Sequence, residues 1–403
     1  MIILRVTSQT ENQFWEQNMG PSFKTQNNQL HVNTNIKSYL KAGEQRAINL
    51  GNRGPIKFDP DGQLASDIRE SYSDTGFYVF ENVINSDELK DLAQDLDSIL
   101  ENLPEKKGAE LTKSGKKAIG ADCKAPTLFW SKPLGDPFGG TPLANGRHPV
   151  KMAEPIPAKG SPEETVYLIL GSLQFSEACM RIYGHPKLLR VAAAINGDDF
   201  VPFSEALFIK EPGIGASVAW HRDGTTHWDN PAFDEGIHGF NFMIQLYGCT
   251  PANGVWVVPG THKHRSVDIK DMVQRSGSER INEAVPMICQ PGDVVMSNRQ
   301  VVHGSFANTS PDWRVTINQG FHRRTSVLNV KGGGLHGAPA TYDEARIRQR
   351  SLIIGQAIAA RQQRFPDENA FHYKPFEENN ETFNWDEKAK NNMHDYNLLD
   401  LSI

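Results

Sequence analysis

Between about residues 203 and 325 the apolar residues come in short runs, several of them alternating with polar ones: FSEALFIK, ASVAWHRD, FNFMIQLYG, GVWVVPG, DVVMSN, VVHGSF and RVTINQGF. Gly, Pro and Asn separate the runs. That rhythm predicts antiparallel strands closed into a sandwich or barrel such as a jelly roll. Upstream, Gly76-Phe77-Tyr78-Val79-Phe80 reads as a strand, and Asn85-x-x-Glu88 forms a capping box. The helix it opens carries Leu89, Leu92, Ala93, Leu96, Ile99, Leu100 and Leu103 on one face, and Pro104 helps to end it. The pattern turns helical from Glu163 to Tyr183 and again from Pro186 to Ile195, with Gly184 and Gly197 as stops. Thr341-x-x-Glu344 caps a further helix, through roughly Gln362. The fold class expected is mainly β with flanking helices.

Elsewhere periodic apolar character fades. Residues 1 to about 65 are rich in Asn, Gln and Lys and read as an arm or irregular wrapping segment. Residues 105 to 160 are dense in Gly, Pro and Lys, with Phe129 and Trp130 in the middle, and read as a long insertion or lid. The tail beyond Pro366 is polar and mildly acidic. The organisation expected is an N-terminal arm (1–65), a jelly-roll domain (66–330) carrying the 105–160 insertion, and a C-terminal helical extension (331–403) packed on the same domain. No internal repeat is visible.

Composition narrows the partners. A chain of 403 residues can bury a substantial core. Its 42 Lys and Arg against 48 Asp and Glu leave a net charge of −6, with no basic block to track a phosphate backbone, so nucleic acid is not an expected partner. The apolar start of MIILRVTSQTENQ is too short for a signal peptide's hydrophobic region, and no later run reaches membrane-spanning length. A cytoplasmic protein without membrane contact is expected. Cys123, Cys179, Cys249 and Cys289 lie far apart and form no Cys-x-x-Cys pair, which reads as four buried, reduced thiols.

Candidate chemistry concentrates in WHRDGTTHWDN, residues 220 to 230, where His-x-Asp occurs twice. On a strand, His221 and Asp223 share a face and could grip a divalent metal from one side, with Trp220 and Arg222 turned away. The second pair, His227 and Asp229, runs into Asn230-Pro231, a turn signature, and has no fixed common face. The first pair is therefore the better ligand candidate. A non-haem iron site needs a second, distant histidine, and His238, His262, His264, His303 and His322 are available. His303 has the strongest context, since VVHGSFANTSPDWR sets Ser305 two residues on and Arg314 eleven residues on. On Arg314-Val315-Thr316-Ile317-Asn318 the polar residues alternate, so Arg314, Thr316 and Asn318 share one face.

As a set and in this order, TPANGVWVVPGTHKH, PGDVVMSNRQVVHGSFANTSPDWR and VAWHRD resemble the phytanoyl-CoA dioxygenase family of Fe(II)- and 2-oxoglutarate-dependent oxygenases, and GFYVFENVINSDELKDL is similar to that family's first strand and helix. The resemblance spans roughly residues 70 to 325. It implies a double-stranded β-helix, with His221, Asp223 and His303 as iron ligands and Arg314 pairing with the far carboxylate of 2-oxoglutarate, assisted by Ser305. Thr261 stands where many relatives have Ser before the histidine of the turn, and the terminal extensions and the insertion enlarge the chain.

The chemistry implied is oxidation of a small organic metabolite by dioxygen, with 2-oxoglutarate leaving as succinate and carbon dioxide. Three ligands on one face of Fe(II) leave positions for the keto acid and for dioxygen. Arginine suits the keto acid's carboxylate because its planar fork donates two parallel hydrogen bonds. Related iron halogenases carry a small residue in place of the carboxylate ligand, so Asp223 favours hydroxylation over halogenation. Desaturation or cyclisation at the same iron, and a non-catalytic jelly-roll binding protein, are the alternatives. His227 and Trp228 either line the substrate pocket or simply pack. His262 reads as a structural histidine, His264 as exposed and Lys210 as a solvated strand end.

Overall fold

The computed structural model describes residues 21–223, 239–333, 339–377 and 381–400, with side chains from residue 36 on. Its strands run β1 (Arg53–Gly54), β2 (Phe77–Phe80), β3 (Leu128–Ser131), β4 (Thr165–Leu170), β5 (Val201–Lys210), β6 (Val218–His221), β7 (Gly239–Gln245), β8 (Trp256–Val258), β9 (Val285–Pro286), β10 (Val294–Asn298), β11 (Val302–Ser305) and β12 (Arg314–His322). One sheet has the order β1-β2-β10-β7-β12-β5-β4-β3 and a second the order β6-β11-β8-β9. From β5 to β12 the chain crosses repeatedly between the two. That winding is a double-stranded β-helix, or jelly roll, with the sheets left separate at their edges.

The helices that matter are α1 (Pro21–Leu50), α2 (Ser66–Thr75), α3 (Ser86–Glu101), α4 (Glu177–Tyr183), α5 (Pro186–Asn196), α6 (Ile269–Ser276) and α7 (Glu344–Arg364). On one face of the large sheet, Ile169, Leu207, Ile209, Ile244 and Ile317 pack with residues of α3, α4, α5 and α7. On the other, Leu168, Ser204, Ala206, Phe208, Met243 and Thr316 turn toward a cavity shared with the small sheet. A sheet covered on both faces has no solvent side to mark with polar residues. This double burial explains why TVYLIL, six buried residues in a row, reads as a helix in the sequence. Its length and β-branched content fit the strand it forms between β3 and β5.

Other local expectations fare variously. The capping box forms: the Asn85 side chain accepts from the Glu88 N–H while the Glu88 carboxylate accepts from the Asn85 N–H, and α3 follows. The last long helix is capped by Asp343, whose side chain accepts from the Arg346 N–H, and not by Thr341. Within 1–65 the chain is helical, not irregular, from Pro21 to Leu50. Tyr39 stacks on Trp256 of the small sheet with ring centroids 4.7 Å apart and donates its hydroxyl to Ile281 O at 2.9 Å. Arg46 Nη2 donates to Ala284 O at 2.7 Å, and such scattered anchors leave no periodic trace in an Asn- and Gln-rich sequence. The 105–160 segment contributes β3, an edge of the large sheet. Lys210 is buried, and its Nζ donates to Phe306 O at 2.5 Å. Cys179, Cys249 and Cys289 are buried free thiols, whereas Cys123 is only partly buried.

Candidate active site

β11 lies between β6 and β8, in a register that sets His303 directly opposite His221. The register shifts between His303 and Ser305, and Gly304 sits at the shift. A Cβ there would meet Trp220 N and Val218 O at 3.1 Å, so the absence of a side chain lets the strands close. The two imidazole centroids are 4.2 Å apart. β6 ends at His221, so Asp223 is held by a turn and not by strand alternation. Its N–H donates to Arg299 O at 2.9 Å. Its Oδ1 lies 3.3 Å from His221 Nε2 and 3.9 Å from His303 Nε2.

Proton positions follow from the partners. His221 Nδ1 is 2.8 Å from Ala219 O, and His303 Nδ1 is 3.0 Å from Val301 O. A carbonyl only accepts, so both Nδ1 atoms carry hydrogen and both Nε2 atoms present lone pairs. Asp223 Oδ2 accepts from Asn241 Nδ2 at 2.6 Å, which leaves Oδ1 for the centre. Three buried electron-pair donors thus converge within 4.8 Å of one another. A divalent cation fits such a set, which has no hydrogen of its own to place between the donors. Burial pushes His221 down to about 4, so the ring is neutral at pH 7 as a ligand must be. Burial works against ionising Asp223, yet the neighbouring Arg299 guanidinium helps to hold its carboxyl well below the usual range.

Across the cavity Arg314 enters from β12, 2% exposed. Its Nε donates to Asn253 O at 3.3 Å and its Nη1 to Thr316 Oγ1 at 3.1 Å, and the Thr316 hydroxyl donates in turn to Gln245 Oε1 at 2.9 Å. Among the described residues no carboxylate pairs with it. Burial pushes Arg314 down to about 10, which leaves it charged at pH 7. A buried guanidinium with no anion is costly unless a ligand supplies one. Arg314, Thr316 and Asn318 line one cavity with Ser305 and the three metal-ligand candidates, enclosing about 800 Å³ of empty space with its open mouth included. His227 and Trp228 lie outside the described residues. His262 is buried, its Nε2 2.9 Å from Ser73 O, and His264 is exposed.

Among the lining residues that the sequence does not point to are Arg147, His148, Asn241 and Arg299. His148 stands beside His221 with ring centroids 4.2 Å apart, and its Nδ1 shares the Ala219 carbonyl at 2.9 Å. Burial pushes it down to about 2, so it stays neutral. Asn241 leaves a trace, as a polar residue inside the apolar strand FNFMIQ, and Arg299 follows the strand DVVMSN directly. Arg147 and His148 leave none, because GRHP in a Gly- and Pro-rich stretch reads as loop.

A jelly roll holding two histidines and a carboxylate beside a buried arginine, which has no carboxylate partner among the described residues, defines the class: a cupin-like fold with a candidate mononuclear metal site. Residues 163–316 match the family described as phytanoyl-CoA dioxygenase (PhyH). It is 32% identical over 110 residues to "Phytanoyl-CoA dioxygenase 1" of Oryza sativa subsp. japonica, a match covering 25% of this chain and 37% of the relative. It is 28% identical over 136 residues to "Dioxygenase lolE1" of Epichloe uncinata, covering 33% of this chain and 50% of the relative. The chain thus spans half or less of the length of these curated relatives. Among solved structures, EctD from S. alaskensis with 2-oxoglutarate and 5-hydroxyectoine aligns with a TM-score of 0.48 at 20% identity, over 68% of this chain and 82% of that one. Among the described residues no helix is long and apolar enough to cross a membrane.

Proposed function

We propose that this protein is an Fe(II)- and 2-oxoglutarate-dependent oxygenase that hydroxylates an unactivated C–H bond of a small organic metabolite in the cytoplasm. The observation that carries the reading is the pairing, in one cavity, of the His221, Asp223 and His303 donor set with a buried Arg314 that has no anion of its own. When bound, iron activates dioxygen at the expense of 2-oxoglutarate, which leaves as succinate and carbon dioxide, and oxidises the substrate.

The chain's own groups do the positioning. His221 and His303 present Nε2 because Ala219 and Val301 hold Nδ1. Asn241 fixes the Asp223 oxygen that faces away from the metal. Arg314 anchors the far carboxylate of 2-oxoglutarate, and Ser305, two residues from His303 and on the same cavity wall, assists it. Retention of Asp223 as a ligand favours hydroxylation, because no ligand position is left for a halide. We take residues 66–330 as the catalytic domain, and 1–65, 105–160 and 331–403 as the arm, insertion and extension that enclose it.

Metabolite pools incubated with the Fe(II)-loaded protein are expected to contain a fraction that stimulates succinate release. The product should be heavier by one oxygen. A product lighter by two hydrogens would replace hydroxylation with desaturation, and chloride incorporation would overturn the reading of Asp223.

A further inference from the structure

Two more guanidinium groups face the cavity. Arg299, just after β10, is 1% exposed. Its Nη1 donates to Asn241 Oδ1 at 3.0 Å and its plane lies over Phe203, 4.4 Å from the ring centroid. Its Nε and Nη2 are buried with no hydrogen-bond partner. Arg147 donates Nε to His148 Nε2 at 3.4 Å, while its Nη1 is buried without a partner. The backbone that delivers it passes through Ala144 at φ 49°, Asn145 at 57° and Gly146 at 69°, a left-handed run that is strained at Ala144. Ser204 Oγ and Asn318 Oδ1 line the same cavity and are likewise buried and unpartnered.

An orphaned buried polar group costs about 1–3 kcal/mol, and more when charged, so native proteins keep few. Four such side chains in one cavity mark a place where a ligand completes the hydrogen bonding. Charge indicates the kind of ligand. Under the oxygenase reading, on which this step rests, Fe(II) and doubly ionised 2-oxoglutarate cancel, and Asp223 offsets one of the three guanidinium groups. A surplus of two positive charges is left in the cavity, and among the described residues Asp223 is the one carboxylate lining it.

We infer that Arg147 and Arg299 form the substrate subsite and receive a carboxylate of the substrate, with Ser204 and Asn318 pairing with polar atoms beside it. Asn241 alone separates Arg299 from Asp223, through contacts of 3.0 and 2.6 Å. The bound carboxylate therefore lies close to the metal. Phe138, Leu168, Leu170 and Phe208 offer the hydrocarbon surface next to it. The substrate class is a compact organic acid whose charge is near the oxidised carbon, not an acyl chain whose charges sit at the far end of a carrier.

The test uses the full chain loaded with Mn(II), which cannot turn over, and saturated with 2-oxoglutarate so that Arg314 is occupied. Propionate, propionamide and inorganic phosphate are compared by calorimetry at equal ionic strength. Propionate is expected to bind about tenfold or more tightly than either, and Arg147→Met and Arg299→Met to lose about tenfold or more of that affinity while keeping 2-oxoglutarate. Because removing an unpaired buried charge relieves the ligand-free protein, Arg147→Met should also raise its melting temperature, which loss of a merely structural arginine would lower. Equal binding of propionate and propionamide, preference for phosphate, no propionate binding, or full retention in Arg147→Met would each overturn the inference. If 2-oxoglutarate fails to bind but propionate still depends on Arg147 and not on Arg314, the acid subsite stands and the oxygenase reading falls.

Discussion

Two backbone carbonyls decide how His221 and His303 can act. Ala219 O and Val301 O each take an Nδ1–H, which commits both rings to the tautomer that ligates through Nε2. Asn241 does the equivalent for Asp223, and it also holds Arg299. Asn241→Ala is therefore expected to weaken Mn(II) binding by roughly 10- to 100-fold without removing a ligand, read by electron paramagnetic resonance titration. Unchanged affinity would mean that the amide does not orient the carboxylate. His221→Ala should lose the metal, whereas His227→Ala should retain it and alter substrate handling at most. Equal metal loss in both variants would transfer the ligand role to the second His-x-Asp pair. At this scale the sequence exposes the residues that sit on strand periodicity, as Arg314, Thr316 and Asn318 do. It hides Arg147, because a loop has no period from which to infer where a side chain points.

Elements carry the stability of the site more than its chemistry. α3 is opened by a complete capping box, so Asn85→Ala should cost about 1 kcal/mol, seen as a lower denaturant midpoint with an unchanged slope. β5 shows how one strand serves two layers: Ser204 faces the cavity, while Glu205 turns outward to accept hydrogen bonds from Ser172 Oγ and the Tyr396 hydroxyl, tying the C-terminal segment to the sheet. Burial pushes Glu205 up to about 7 from an ordinary 4.5. A folded-state value above the unfolded one means that stability is fully present below about 4.5 and is lost as pH rises through about 7. Glu205→Gln removes that loss, so the variant should gain stability relative to the parent across this window. A pH-independent difference in urea midpoints would show that Glu205 does not titrate there. The same two-layer burial explains where element reading fails. β4 is apolar on both faces and imitates a helix, while β2, β10 and β12 keep enough alternation or turn chemistry to be seen as strands.

For the whole molecule, the jelly roll was legible because turn residues recur between short apolar runs, and the candidate metal set could be named because its members fall on or beside strands in a recognisable order. The distances that unite them were not. His221 and His303 are 82 positions apart in the sequence and become neighbours only through the β6–β11 register, and Arg147 joins them from a segment that reads as a loop or lid. The cavity built this way has a candidate metal end, an arginine end at Arg314 and, apart from it, the pair Arg147 and Arg299. An oxygenase uses all three, whereas a plain binding module has no need of Arg314. Anaerobic titration of 2-oxoglutarate into the Fe(II)-loaded protein, followed by visible absorption, separates the two most directly. A weak charge-transfer band should appear and saturate in the parent, be absent from His221→Ala, and require far more 2-oxoglutarate in Arg314→Met. Iron-loaded parent protein that shows no band at any 2-oxoglutarate concentration would contradict the assignment.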